Sequence, residues 1–234
     1  MLASVDTSLC SMSATEALRR FRARTLSPLE LLDALIERID VAEPTLNAVC
    51  DRRYEEARAE AAAATERYAR ASGSPLPLDG VPVAAKEEHP MLGRSWTQGS
   101  LAHEGEIAPL THPVIERIQA AGGVIHIRTT TPEFCCAGFT ESRIWGVTRN
   151  PWNTAMSPGG SSGGSGAALA AGYAPLATGS DIGGRSGFLR RCAASSASSR
   201  RTAGCPRSHR STSTSTATTA RWRGPWRTWR CWRT

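Results

Sequence analysis

The sequence predicts an α/β fold over its first 184 residues, and three observations carry the prediction. The first 75 residues show helical apolar spacing. From Leu76 the texture changes to short β-branched runs punctuated by Gly and Pro. Between them recurs a helix, a glycine pair and a strand, the rhythm of alternating α and β elements.

In chain order, Ser27, Pro28 and Glu30 form an N-cap serine, a first-turn proline and a capping-box glutamate. Leu31, Leu32, Leu35, Ile36 and Ile39 then follow at helical spacing, so an amphipathic helix starts here. Glu55 to Ala71 reads as a second helix whose apolar face is mostly alanine and buries little area. Val81 to Ala85 and Val124 to Ile127 read as strands, with a helix over Pro113 to Ala121 just before the second. The stretch from Pro158 to Gly184, PGGSSGGSGAALAAGYAPLATGSDIGG, is glycine- and serine-rich but is not a linker. Ala167 to Ala171 and Pro175 to Thr178 interrupt it, predicting a loop, a helix start, a short strand and a second loop.

The formal net charge of +7 conceals a break. Residues 1–184 carry 16 basic and 21 acidic side chains, a net −5, while the last fifty carry 12 arginines and no acid. A nucleic-acid partner therefore cannot be argued from the total. No apolar run approaches the ~18 residues of a membrane span, and the N-terminus lacks a basic segment followed by an apolar one. The seven cysteines include no C-x-x-C pair, which argues against a disulfide framework or a zinc site and for a reducing, cytoplasmic compartment. The five histidines lack ligand spacing, and Cys135 and Cys136 read as ordinary semi-buried thiols.

Three ordered blocks then carry a resemblance: GVPVAAKEE at Gly80 to Glu88, TRNPWNTAMSPGGSSGGSGAALAAG at Thr148 to Gly172, and ATGSDIGG at Ala177 to Gly184. Together they closely resemble the amidase signature family of serine hydrolases, from about Ser27 to Gly184. An isolated lysine after a strand is most often a solvated charge, and Ser-Gly runs are most often turns or phosphate cradles. The joint occurrence of the three blocks outweighs those readings. The resemblance implies a mixed β-sheet core flanked by helices. It also implies hydrolysis of a carboxamide to a carboxylate and an amine through an acyl-serine, without metal or organic cofactor. The substrate would be a small-molecule amide, and intact members would be capable of homodimerising.

By the same resemblance Lys86 matches a catalytic lysine that its surroundings keep neutral, desolvation at the end of an apolar strand lowering its pKa. Ser161 matches a bridging serine held after a cis peptide bond, and Ser162 a supporting serine. Ile182, Gly183 and Gly184 match the turn whose N–H groups form the oxyanion hole, with Ser180 and Asp181 in support. The nucleophilic serine is expected 24 residues after Ser161. That position holds Arg185, and Ser186 is one place off.

The sequence divides accordingly into an N-terminal helical part (1–75), the first half of a catalytic core (76–184) and a tail (185–234). The tail contains no Ile, Val, Lys, Asp, Glu, Tyr, Asn or Gln, a composition that GC-rich codons yield when read out of frame. Phe188 to Pro206 can be encoded so that the frame starting one nucleotide earlier reads IPASVCGVVGFKPPYGRVP, a family-like continuation. Ala220 to Arg233 can likewise hide GPMARTVADVALLE, the fixed TGG codons of tryptophan limiting the freedom of such a match. A lost nucleotide near Gly183 or Gly184 is the expectation, leaving a truncated, inactive core and a disordered tail. The alternative is a nucleic-acid-binding arm in which arginines meet phosphates and Trp222, Trp226, Trp229 and Trp232 stack on bases. The expectation adopted is no specific nucleic acid and no membrane.

Overall fold

The computed structural model describes residues 7–70 and 75–180, and the backbone of 215–219. Its helices are α1 (Thr7–Cys10), α2 (Ala14–Arg22), α3 (Pro28–Leu46), α4 (Tyr54–Ala69), α5 (Pro113–Ala120) and α6 (Gly163–Ala171). Its strands are β1 (Val49–Arg52), β2 (Pro82–Lys86), β3 (Val124–Thr129), a small hairpin of β4 (Glu141–Ser142) and β5 (Gly146–Val147), then β6 (Leu176–Ser180) and β7 (Ser215–Thr219). No helix among the described residues is long and apolar enough to cross a membrane.

α3 forms where its sequence signals stand. The Ser27 hydroxyl accepts from the Glu30 N–H at 3.1 Å and the Glu30 carboxylate accepts from the Ser27 N–H at 2.7 Å, closing the capping box. Leu31, Leu32, Leu35, Ile36 and Ile39 are all buried, and Asn47 ends the helix in the left-handed region.

The main sheet runs β1-β3-β2-β6-β7. β3, β2 and β6 are mutually parallel, and β1 and β7 pair antiparallel at the two edges, so the sheet is mixed. β2, β3 and β6 are buried at every position, as expected for parallel strands covered on both faces. On one face Val81, Val83, Ala85, Ile125 and Leu176 pack against Phe21, Leu31, Leu35, Tyr68 and Ile115. On the other Ala84, Ile127 and Ala177 pack against Ile39, Leu46, Tyr173 and the alanines of α6. A register shift opposite Val83 and Ala84 leaves His126 as the extra residue of β3. Its Nε2–H donates to the Tyr173 carbonyl at 2.9 Å.

α6 lies close to the sheet because its first turn is nearly bare. A Cβ on Gly164 would stand 2.5 Å from the Thr130 carbonyl oxygen and 2.7 Å from its nitrogen, and one on Gly163 would stand 2.2 Å from the Thr140 hydroxyl. Behind them Ala167, Ala168 and Ala171 keep the helix surface thin.

One element departs from expectation. β1 interrupts a segment whose sequence reads as wholly helical. Its four residues are only partly buried and carry no period of their own, and they extend because β3 offers them a free edge. The tail, for which the sequence predicts disorder, lies outside the described residues over 185–214 and 220–234. The backbone of Ser215–Thr219 lies antiparallel along β6 from Leu176↔Thr219 to Ser180↔Ser215. The unpaired backbone groups of β6 supply the reason, and a Ser/Thr-rich run is compatible with an edge strand.

Two measurements test this packing. Gly164→Ala should cost about 1–3 kcal/mol in urea unfolding through overpacking. Gly138→Ala, which meets nothing within 4 Å, should stay within about 0.5 kcal/mol. Equal effects would contradict the close approach of α6. Burial also pulls His126 from 6.5 down to about 4, and burial together with His112 pulls His89 down to about 3. An unfolded chain binds protons at both imidazoles that the folded chain refuses, so this stability is present above pH 6.5 and lost as the pH falls toward 4 and then 3. The urea midpoint should fall between pH 7 and pH 5, and His126→Gln should shrink that fall; an unchanged fall would rule His126 out as a source.

Candidate active site

The carboxyl ends of β2, β3 and β6 meet the N-terminus of α6, the place where open parallel sheets bind ligands. Lys86 is the last residue of β2, Thr129 of β3 and Ser180 of β6, while Ser161 and Ser162 directly precede α6. The Gly160–Ser161 peptide is cis. Lys86 is the chain's single lysine among 28 basic residues. Wherever else a cation stands, the sequence uses arginine, which keeps its proton under all ordinary conditions.

Lys86 is fully buried, and its Nζ meets three oxygens. It donates to Ser161 Oγ at 2.9 Å and to Ser180 Oγ at 2.8 Å, and Glu88 Oε2 lies 2.8 Å away. Burial alone would raise the Glu88 pKa, but the charge and hydrogen bond of Lys86, helped by a hydrogen bond with Ser180, outweigh it and bring it down to about 2. The neighbouring Glu87 serves a separate purpose. Its Oε1 accepts from the N–H groups of Thr97 and Gln98 and from the Thr97 hydroxyl, fixing a turn in which Gln98 takes a φ of 51°. Burial pushes the Glu87 pKa up, opposed by Arg128.

The serines and threonines around Lys86 fix the backbone. Ser162 makes no cap bond; its Oγ accepts from the Ser180 N–H at 3.1 Å and donates to the Ser180 carbonyl at 3.4 Å, stapling α6 to the end of β6. Ser165 Oγ donates to the Thr178 carbonyl at 2.8 Å and lies 2.7 Å from Thr129 Oγ1. Thr178 Oγ1 accepts from the Lys86 N–H at 2.8 Å and lies 2.9 Å from His89 Nδ1. Thr131 Oγ1 donates to the Ser161 carbonyl at 3.3 Å and lies 2.9 Å from Cys135 Sγ.

Of the residues singled out in the sequence, Lys86, Ser161, Ser162 and Ser180 come together here. Asp181, Ile182, Gly183, Gly184 and Arg185 lie outside the described residues. Glu88, which the sequence reading does not single out, stands in contact with Lys86. One expectation is corrected. Cys135 and Cys136 are not alike, because Cys135 is buried beside Thr131 and Lys86 while Cys136 is exposed. Glu88 gives no periodic signal in sequence, because an acid two residues after a strand's last residue is ordinarily solvated. Among the described residues no three His, Cys, Asp or Glu side chains gather as metal ligands.

Residues 30–185 match the family model described as Amidase. The chain is 42% identical over 167 residues to a subunit of the glutamyl-tRNA(Gln) amidotransferase of Synechococcus sp. (strain CC9605), covering 71% of this chain and 34% of that one. It is 38% identical over 181 residues to indoleacetamide hydrolase of Bradyrhizobium diazoefficiens, covering 77% and 34%. The solved structure of 6-aminohexanoate cyclic dimer hydrolase superposes with a TM-score of 0.76 at 30% identity, covering 90% of this chain and 44% of that one. The chain thus spans 34–38% of the length of the curated relatives it matches. A mixed sheet with a lysine and two serines converging at its carboxyl ends, and a family match running through that stretch, lead to one assignment: this chain belongs to the amidase signature family.

Proposed function

We propose that this chain carries the first half of an amidase centre that cleaves a carboxamide C–N bond through two serines and a lysine, and that the chain as it stands lacks the nucleophile. The observation that carries the reading is the buried contact of Lys86 Nζ with Ser161 Oγ at 2.9 Å, at the carboxyl end of the parallel strands. Amide hydrolysis needs a nucleophile, a base that takes its proton and returns it to the leaving amine, and donors for the tetrahedral oxyanion. A serine at the position of Arg185 would attack the carbonyl carbon. Its proton would pass to Ser161 as Ser161 releases its own to Lys86, a serine–lysine variant of the triad logic. The same proton would return to the amine as the C–N bond breaks, leaving an acyl-serine for water to cleave. The N–H groups of Ile182, Gly183 and Gly184 would hold the oxyanion.

What supports an interrupted frame is the joint position of three changes. The family match ends at residue 185, the acidic residues end at Asp181, and the arginine-rich composition begins at Arg185. The relatives at 34–38% coverage extend well beyond the matched part, and a continuation beginning Ser-Ile-Arg-Ile-Pro would supply the missing hydroxyl at that point.

The chain as it stands should hydrolyse neither aliphatic nor aromatic amides, because losing the nucleophile of a serine hydrolase costs on the order of 10⁶ in kcat. Amide assays with a fluorophosphonate label check this, and stoichiometric labelling of Ser161 or Ser186 would contradict it. Inserting one nucleotide at the Gly184 codon should give a continuation beginning Ser-Ile-Arg-Ile-Pro and restore amide hydrolysis, while Arg185→Ser alone should not, since a centre must be held to within ~0.5 Å by the structure packed around it. A stop within a few codons of the repaired frame, or activity in Arg185→Ser alone, would defeat the frameshift account.

A further inference from the structure

We propose that His89 is a positioning residue of this centre: as the Nε2–H tautomer it accepts at Nδ1 the hydroxyl hydrogen of Thr178, and this bond, relayed to the backbone of Lys86, sets the spacing of β2 and β6 at which Lys86 and Ser180 meet. The inference deepens the serine–lysine reading above and rests on it.

The spacing needs a device because the backbone ladder between these two strands stops short. β2 pairs with β6 at Val83↔Leu176 and Ala84↔Ala177, while it stays with β3 as far as Lys86↔Thr129. Lys86 and Ser180, whose side chains meet at 2.8 Å, both lie beyond the last of those pairs with β6. There side chains take over from the ladder. The Lys86 N–H donates to a side chain of β6, Thr178 Oγ1, at 2.8 Å, and the Thr178 carbonyl accepts from the Ser165 hydroxyl at 2.8 Å.

The hydrogens around Thr178 then have one good arrangement. An amide N–H can only donate, so Thr178 Oγ1 accepts from Lys86 and keeps its own hydrogen to give away. Its second partner is His89 Nδ1, at 2.9 Å. If the hydroxyl received a hydrogen from that side as well, its own would have no acceptor, a costly state for a buried group. Nδ1 therefore offers a lone pair. Burial, together with the neighbouring His112, draws the His89 pKa down to about 3, so the ring is neutral at pH 7 and its one hydrogen sits on Nε2. That nitrogen is buried and meets no acceptor among the described residues, which is the cost of the arrangement.

The ring is anchored from its own side too. The His89 N–H donates to the Lys86 carbonyl at 3.0 Å, closing a turn directly after β2. Arg128 of β3 donates through Nη2 to the carbonyls of Glu87 at 2.8 Å and His89 at 3.4 Å, so the turn is tied to the neighbouring strand. The imidazole then packs against His112, the N-cap of α5, with ring centres 4.7 Å apart. A turn fixed to β3 and bonded across to β6 leaves the Lys86 backbone little room to move.

The tautomer can be read in the chain as it stands. With ¹⁵N-histidine incorporated, His89 should show a bare Nδ1 and a protonated Nε2 at pH 7. A protonated Nδ1, in a neutral or a charged ring, would overturn the proposal, a result that needs no variant to fold. Lys86 is the single lysine, so α-¹⁵N-lysine gives one backbone amide signal, that of the N–H bonded to Thr178. Asparagine places its Oδ1 where histidine has Nδ1, whereas leucine of the same shape offers no acceptor. In His89→Leu the Lys86 amide should exchange with solvent about tenfold faster, and His89→Asn should recover most of that protection. Unchanged exchange in a folded His89→Leu, or a folded His89→Asn no better than leucine, would overturn the proposal. In the frame-repaired enzyme, His89→Leu should lower kcat by about tenfold or more with KM little changed, and His89→Asn should recover it. An active repaired enzyme indifferent to His89→Leu removes His89 from the mechanism and leaves the serine–lysine reading intact, whereas an inactive repaired enzyme counts against that reading and leaves the tautomer and the amide exchange to decide on His89.

Discussion

Burying the Nζ group of Lys86 is the constraint around which the end of the sheet is organised. A buried polar group without partners is costly, so this nitrogen must meet oxygens. Three different segments supply those oxygens: Ser161 before α6, Ser180 at the end of β6, and Glu88 just past β2 itself. Meeting that demand fixes the relative position of all three.

The fold meets it by keeping α6 bare. Gly163 and Gly164 let the helix start against Thr140 and Thr130 with no Cβ in the way, which brings Ser161 within reach of β2. Short hydroxyl side chains then replace bulk with direction. Ser162 joins the backbone of Ser180, Ser165 joins Thr178 to Thr129, and Thr178 holds the Lys86 N–H. Each bond ties one strand end to a neighbour, so the reach of Lys86 is set by backbone geometry and not by the freedom of a long side chain. Arginine in its place would be larger and could not shed a proton, which gives a chemical reason why a chain so rich in arginine has lysine here.

The sheet edges show the reverse situation, in which the surroundings accept whatever sequence is compatible. β1 and β7 both lie antiparallel on the edges of a parallel core. Neither is specified by a strong pattern of its own; one is a partly buried tetrapeptide and the other lies in a run of Ser, Thr and Ala. An open edge presents a ladder of backbone donors and acceptors to any extended segment, so pairing at an edge needs little from side chains.

This contrast separates what could be read from what could not. The sequence by itself determined α3, through its capping box and leucine spacing, and the central strands, through their β-branched runs. It also brought Lys86, Ser161, Ser162 and Ser180 forward together, because three blocks in fixed order constrain one another more than any single glycine-rich string does. The jump of charge and composition at Arg185 was equally a property of the chain alone. Only the tertiary structure decided that Glu88 turns in to Lys86 while Glu87 turns away to Thr97, that Cys135 is buried and Cys136 exposed, and that β1 and β7 extend. The physical reason is common to these cases: adjacent residues of the same type carry the same local propensities, and what tells them apart is which distant atom stands within about 3 Å, a distance no local pattern encodes.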